Sequence, residues 1–360
     1  MFTKIKLSLL FLLTVFIISG CSISLKTKGG GGNDGGLFVS ANKGATWKQD
    51  VLMPSIGGTP NNIGFVSANV LALDPSDSNA IYLGTSDYGL YYTYNLASGW
   101  QKAKLSDVTI NDVIIDPNDK CNIYVALTNK IMQSTDCNRS YNQIYFDSNT
   151  GVSITAVAVD HYNSQLVYIG TSRGDLIKSY DRGKSWTPVY RLNEGIKEIV
   201  LNPKDSRQAF VATEKTSLFK FSFGSDSPQN LFNPANIVDF SNNIKALNIG
   251  DAFRTLTINL DGSIFLATSR VILKSEDGGN NWEKLKIITP ENEAAINTLA
   301  VNPKNPKEIY YATNTTFFRT SDGGGAWSTI SMPSTRAASA LVVDFDNPNN
   351  VFLGVKKIKN

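Results

Sequence analysis

Acidic side chains recur in this sequence in fixed company. In Ser179-Tyr-Asp181-Arg-Gly183-Lys-Ser-Trp186 a hydroxyl precedes the carboxylate by two positions, a glycine follows it by two, and a tryptophan comes three later. Ser275-x-Asp277-x-Gly279-x-x-Trp282 and Thr320-x-Asp322-x-Gly324-x-x-Trp327 repeat the frame, and Ser40-x-Asn42-x-Gly44-x-x-Trp47 repeats it with an amide. Thr93-x-Asn95-x-Ala97-x-x-Trp100 and Ser134-x-Asp136-x-Asn138-x-x-Tyr141 are looser copies. A carboxylate beside a hydroxyl could hold a cation or move a proton. Repetition argues for a different role. The acid can accept backbone N–H groups across a tight turn, the glycine can take φ > 0, and the tryptophan can anchor the next strand. Acids that recur once per structural unit are held apart by those units, so they read as structural. Trp47, Trp100, Trp186, Trp282 and Trp327 read as packing, not as a sugar platform.

Other chemistry is scarcer. One histidine, His161, argues against a histidine-based metal site, so neither metal nor cofactor is expected. His161 stands where Asp74-Pro75, Asp116-Pro117, Asn202-Pro203 and Asn302-Pro303 carry proline, which makes it a turn residue. Cys121 and Cys137 are 16 positions apart. An unstrained disulfide across that loop is worth roughly 3 kcal/mol. Five cations, Lys130, Arg173, Lys215, Arg270 and Lys356, come near the end of the second apolar run of their units. In a ring of units they would share one face and suit an anionic ligand or an acidic protein segment. The formal net charge is +3 and no long basic run exists, which disfavours nucleic acid.

The elements that position these residues repeat as well. Val157-Ala-Val-Asp160, Leu166-Val-Tyr168-Ile-Gly-Thr171 and Leu176-Ile-Lys-Ser179 lead to Trp186. Leu299-Ala-Val-Asn302, Ile309-Tyr310-Tyr-Ala-Thr313 and Phe317-Phe-Arg-Thr320 lead in the same order to Trp327. Short β-branched and aromatic runs between turn residues form a four-stranded meander. Thr93 to Ser134 is 41 positions, and both Ser134 to Ser179 and Ser275 to Thr320 are 45. Ser179 to Ser275 is 96 positions, room for a hidden unit at Ile199–Phe221 whose hairpin is worn down to Ser222–Ser225. Such a period with four strands per unit is propeller-like. The chain opens on half a unit, Leu37–Trp47, and closes on the complementary half, Leu341-Val-Val-Asp344 and Val351-Phe-Leu-Gly354. The expected fold is all-β: a seven-bladed β-propeller of four-stranded blades spanning 37–360. Leu37–Asp50 would pair onto Ala338–Val355 to close the ring and hide the sheet edges. Acidic hairpins and Asp-Pro turns would then share one face, with Cys121 and Cys137 at one end of one blade. The opposite, loop face would carry the five cations. Two long connections, Gln49–Ala68 and Gly224–Asp251, are expected to overhang it.

Residues 1–20 read as a secretory signal: Lys4 and Lys6, then an apolar run from Leu7 to Ile18 that is short for a spanning helix. Ile18-Ser19-Gly20-Cys21 resembles a bacterial lipobox, which implies lipidation of Cys21 and anchoring outside the cytoplasm, in the outer membrane if the cell has one. That compartment permits the Cys121–Cys137 disulfide. Residues 21–36, rich in glycine, read as a flexible tether.

The hairpins resemble Asp-boxes, the BNR-type repeats of sialidases, sortilin-type receptors, xyloglucan-cleaving glycosidases and the propellers that assist photosystem II assembly. The resemblance covers nearly all of 37–360 and implies the fold, while its members differ in function. A single propeller behind a lipid anchor is most similar in layout to the assembly propellers. That implies a monomeric, non-catalytic protein-binding or assembly scaffold, partnered by the membrane through its lipid and by another envelope protein or a glycan. Glycoside hydrolysis is the alternative. A sialidase-like site needs an arginine triad, a Tyr/Glu pair and an acid. Arg173, Arg191, Arg254, Arg270 and Arg336, with Tyr190 and Glu194, supply those residue types. Against it, the Phe/Tyr-Arg-Ile-Pro segment of sialidases is missing, those enzymes have six blades, and xyloglucan-type enzymes use two propellers. A carbohydrate-binding propeller would need exposed aromatic residues on the loop face, where Tyr88 and Phe232 are expected.

Overall fold

A computed structural model describes residues 33–224, 232–250, 252–289 and 294–358. The expected signal peptide, Cys21 and the tether as far as residue 32 lie outside the described residues.

Seven antiparallel four-stranded sheets form the ring. Blade one runs from the channel outward as Ala68–Asp74, Asp77–Thr85, Leu90–Thr93 and Gln101–Lys102. Blade two is Ile110–Asp116, Asp119–Leu127, Lys130–Ser134 and Asn142–Phe146. Blade three is Ile154–Val159, Val167–Thr171, Asp175–Ser179 and Thr187–Arg191. Blade four is Ile196–Asn202, Asp205–Thr213, Leu218–Ser222 and Ile237–Asp239. Blade five is Phe253–Ile258, Ile264–Thr268, Ile272–Ser275 and Glu283–Lys284. Blade six is Thr298–Asn302, Asn305–Ala312, Thr316–Thr320 and Ser328–Ser331. Blade seven takes Ala337–Val343 and Val351–Lys356 from the end of the chain and Gly36–Ser40 and Lys48–Gln49 from its start. Leu37 pairs with Gly354 and Ser40 with Val351, so the two half-units close the ring.

One aromatic position makes the sevenfold repeat visible in the core. Tyr82, Tyr124, Tyr168, Phe210, Phe265, Tyr310 and Phe352 all occupy the same register on the second strand, and none is more than 1% exposed. Each lies opposite a smaller inner-strand residue: Ala72, Ile114, Ala158, Val200, Thr257, Ala300 or Val342. Large rings against smaller partners fill the tapering space between twisted blades without voids.

Two connections depart from the sequence reading. Ile237–Asp239 pairs with Phe219–Phe221 and is the outer strand of blade four. The segment leading to it therefore joins strands three and four on the hairpin face. A 3-10 turn at Pro234–Asn236 replaces the hairpin. Phe232 belongs to this segment and packs on Phe221 and Phe223, away from the loop face. A three-residue strand without an anchoring tryptophan gave no sequence signal. The Gln49–Ala68 connection reaches the loop face only with its last residues, where Phe65 packs on Tyr88 and Ser67 C=O accepts from Ser86 N–H. It forms the small hairpin Leu52–Met53/Asn61–Asn62, and Leu52 C=O accepts from Trp100 N–H at the outer edge of blade one.

Candidate functional site

The acidic hairpins are closed hydrogen-bonding units. Ser179 Oγ donates to Asp181 and accepts from Gly183 N–H at 2.8 Å, and Asp181 accepts from Ser185 N–H at 2.8 Å and from Ser185 Oγ at 2.6 Å. The same pattern surrounds Asn42, Asp136, Asp277 and Asp322. Hydrogen bonds from Ser140, side chain first and then backbone, hold Asp136 down to about 2. Asp277 and Asp322 are lowered by bonds from Asn281 and from Thr320, respectively. For Asp181 burial pulls upward, but the bonds from Ser185 and Ser179 outweigh it and the net shift is downward. A carboxylate with its acceptor sites so engaged has little capacity left for a ligand.

Each of these turns uses two consecutive left-handed residues, not one. Lys43 and Gly44 have φ 57° and 81°, Cys137 and Asn138 56° and 67°, and Arg182 and Gly183 62° and 88°. Glycine at 183 is favoured by this φ, and a Cβ there, 2.5 Å from Ile144 Cδ1 of blade two, would also force that side-chain end to shift.

The tryptophans join blades. Trp186 Nε1–H donates to Ile144 C=O at 3.0 Å, Trp100 to Asp50 C=O at 2.9 Å and Trp327 to Lys286 C=O at 2.8 Å, each carbonyl lying on or just past the outer strand of the preceding blade. Trp282 instead bonds Gly279 C=O of its own turn. Trp47 packs edge-on against Phe317. Cys121 and Cys137 form a disulfide between the start of the second strand and the hairpin of blade two. His161 sits in the turn after the inner strand of blade three and contacts Pro203 C=O of blade four at 3.2 Å.

The five cations of the expected ring all come from the loop-face ends of second strands, from the turns that follow, or from the next residue. Their surroundings differ. Arg173 pairs with Asp147 at 3.0 Å and Asp175 at 2.6 Å, so its charge is balanced. Lys130 Nζ lies 5.8 Å from the centre of the Phe146 ring. Lys215, Arg270 and Lys356 are exposed.

The arginines considered for a triad belong to separate junctions. Arg173 and Arg191 both bind Asp175 of blade three. Arg254 donates Nε–H to Ile296 C=O, just before blade six. Arg336 is 5% exposed and bonds the carbonyls of Gly64, Phe65 and Val66 ahead of blade one. Glu194, the partner imagined for Tyr190, accepts from Thr213 Oγ1. Tyr88 is exposed beside Phe65, with ring centres 4.9 Å apart. On the rim, a cleft of about 290 Å³ between the hairpins of blades six and seven is lined by Lys43, Glu308, Tyr310, Arg319 and Trp327. Its charges are engaged: Lys43 pairs with Glu308 at 2.6 Å, and Arg319 bonds Lys43 C=O.

A feature without a sequence signal lines the channel. Blades one to five and blade seven each carry a register irregularity near the loop-face end of the inner strand, at Asn69, Asn111, Thr155, Lys197, Arg254 and Ser339. Asn297 precedes the inner strand of blade six and bonds Ala312 C=O. All seven residues are polar. Four of them stitch to the next blade: Asn69 to Ile110 C=O, Asn111 to Ile154 C=O, Thr155 to Ile196 C=O and Arg254 to Ile296 C=O, at 2.7–2.8 Å. One residue further along, Asp112 accepts from Val157 N–H at 2.9 Å and Glu198 from Leu256 N–H at 2.8 Å, again reaching into the next blade. Burial pushes Asp112 up to about 7 and Glu198 up to about 8, with the Asp112 charge adding to the latter.

No known family model and no curated protein sequence matches the chain. Solved structures do. A GH74 xyloglucanase from Xanthomonas campestris is similar with a TM-score of 0.65 at 16% identity, covering 81% of this chain and 51% of the enzyme. A YCF48 structure with a D1 peptide bound has a TM-score of 0.59 at 16% identity, covering 81% of this chain and 93% of YCF48. YCF48 from Cyanidioschyzon merolae has a TM-score of 0.58 at 10% identity, covering 81% and 95%. At these identities the likeness is one of fold. The chain spans about half the length of the xyloglucanase.

Proposed function

We propose that this chain is a lipid-anchored, extracytoplasmic propeller that docks another envelope protein on its loop face. One observation carries the reading. The ring is closed within the chain by its own two ends, and it corresponds to 93% of a single-propeller protein solved with a peptide bound. The loop face also offers the exposed cations Lys215, Arg270 and Lys356. A rigid ring with exposed charge on one face is a platform for an oppositely charged partner.

The test is a cross-linked pull-down from native envelopes with the full chain and a Lys215→Glu/Arg270→Glu variant. Arg173 is left intact because its ion pairs are internal. A partner captured by the first and lost by the second, both folded, supports docking on this face. Equal capture overturns the choice of face. Hydrolysis has the GH74 fold likeness behind it. Release of reducing ends from xyloglucan by the purified chain would replace the docking reading.

A further inference from the structure

The loop-face mouth of the channel holds four charged side chains in its two outermost tiers. The first tier is Asn69, Asn111, Thr155, Lys197, Arg254, Asn297 and Ser339, and the second is Val70, Asp112, Ala156, Glu198, Thr255, Thr298 and Ala340. Lys197 and Arg254 occupy the same register on neighbouring blades four and five, and both are exposed. Arg254 is held in place by its Nε–H bond to Ile296 C=O, which leaves Nη2 without a bond among the described residues. The Lys197 ammonium has no hydrogen bond or ion pair among the described residues. No acid shares the outer tier. Of the outer-tier residues on the flanking blades, the Thr155 hydroxyl is already donated to Ile196 C=O, while the Asn297 amide donates to Asn314 Oδ1 and keeps a second N–H of the kind that completes an oxyanion's coordination.

We infer that this mouth is a carboxylate-binding subsite, in which Lys197 and Arg254 hold the acidic side chain or C-terminal carboxylate of a polypeptide laid across the loop face. The assignment rests on the docking reading for its polypeptide and on the mouth itself for its chemistry. Asp112 and Glu198 lie one tier deeper, on blades two and four, and their ionisation sets the field of the site. The other four blades, one, three, six and seven, bring no charged side chain to either tier. With both acids neutral the mouth carries two positive charges; with both ionised its net charge is zero. Burial keeps the two acids largely protonated until the pH passes about 7 and about 8. Carboxylate affinity therefore falls as the pH rises through that range.

The test is fluorescence anisotropy on the full chain in detergent with two labelled probes. One is hexaglutamate with an amidated C-terminus; the other is a Gly-Ser hexapeptide with a free C-terminal carboxylate. Whichever probe binds identifies the source of the carboxylate. Lys197→Gln breaks no bond of the fold and should weaken binding at least roughly tenfold. Between pH 6 and pH 9 the wild type should lose roughly tenfold in affinity. Glu198→Gln, which keeps an acceptor for Leu256 N–H, should lose markedly less. Absence of binding by both probes, wild-type affinity in Lys197→Gln, or an unchanged pH profile in Glu198→Gln overturns the inference. Peptide binding without capture of an envelope partner keeps this site and overturns the docking reading. Capture without peptide binding does the reverse.

Discussion

Arg336 and Asp34 clasp the ring where its two ends meet. Arg336 Nε lies 3.3 Å from Asp34 Oδ1, and Asp34 Oδ2 accepts from Thr335 N–H and Oγ1 at 2.7 and 2.8 Å. The same guanidinium reaches the carbonyls of residues 64–66. One side chain thus ties the start of the N-terminal half-blade to the C-terminal half-blade and to the approach to blade one. Leaving such a buried set unpaired is costly. Arg336→Met should lower stability by about 2–4 kcal/mol in chemical denaturation, and Asp34→Asn by about 1 kcal/mol. Wild-type stability in Arg336→Met would show that strand pairing alone closes the ring. Gly35 should tolerate no side chain, since a Cβ there would sit 2.1 Å from Arg336 Nη1.

The tryptophan ties separate packing from hydrogen bonding. Trp186→Phe keeps most of the ring but leaves Ile144 C=O without its indole donor. It should cost about 1 kcal/mol, while Trp186→Ala should cost about 3–5 kcal/mol. Wild-type stability in Trp186→Phe, measured by denaturant midpoint at constant m-value, would show that the hydrogen bond contributes nothing, and equal losses in the two variants would show that ring packing contributes nothing.

What the sequence revealed and what it hid follow from repetition. The hairpin acids, the tryptophans and the second-strand aromatics recur at matched positions, so period and strand count could be read directly. The clasp occurs once. Asp34 looked like part of a glycine-rich tether, and Arg336 looked like one more candidate for substrate binding. The channel polar ring does recur, but Asn, Thr, Lys, Arg and Ser share no single identity, and a bulge leaves no mark in an alternating pattern. Asp112 and Glu198 belong to no repeated motif, so nothing in the sequence marks them out. Their role comes from the next blade, whose Val157 and Leu256 N–H groups they accept from.

The disulfide fixes the hairpin of blade two to the start of that blade's second strand. Cys121→Ser/Cys137→Ser, or reduction of the wild type, should cost roughly 3 kcal/mol by restoring freedom to the unfolded loop. The two treatments should agree in the thermal midpoint. A large effect of reductant on the double serine variant would locate the sensitivity elsewhere.

Stability should have an unusual dependence on pH. The depressed hairpin acids, Asp136, Asp181, Asp277 and Asp322, contribute stability above their ordinary range near pH 4 and lose it as the pH falls below that. Asp112 and Glu198 have the opposite sign. Above pH 4–5 the unfolded chain releases both protons, while the native state keeps them until about 7 and about 8. The native state then binds more protons, so stability falls as pH rises, by on the order of 1 kcal/mol per pH unit for each group. The maximum should therefore lie near pH 4–5, below the neutral range where most proteins are most stable. Glu198→Gln removes one of the two protons. Its stability should equal or fall below that of the wild type at pH 5 and exceed it at pH 8, so the two curves cross. Parallel curves in urea denaturation across that range would show that Glu198 is already ionised in the native channel.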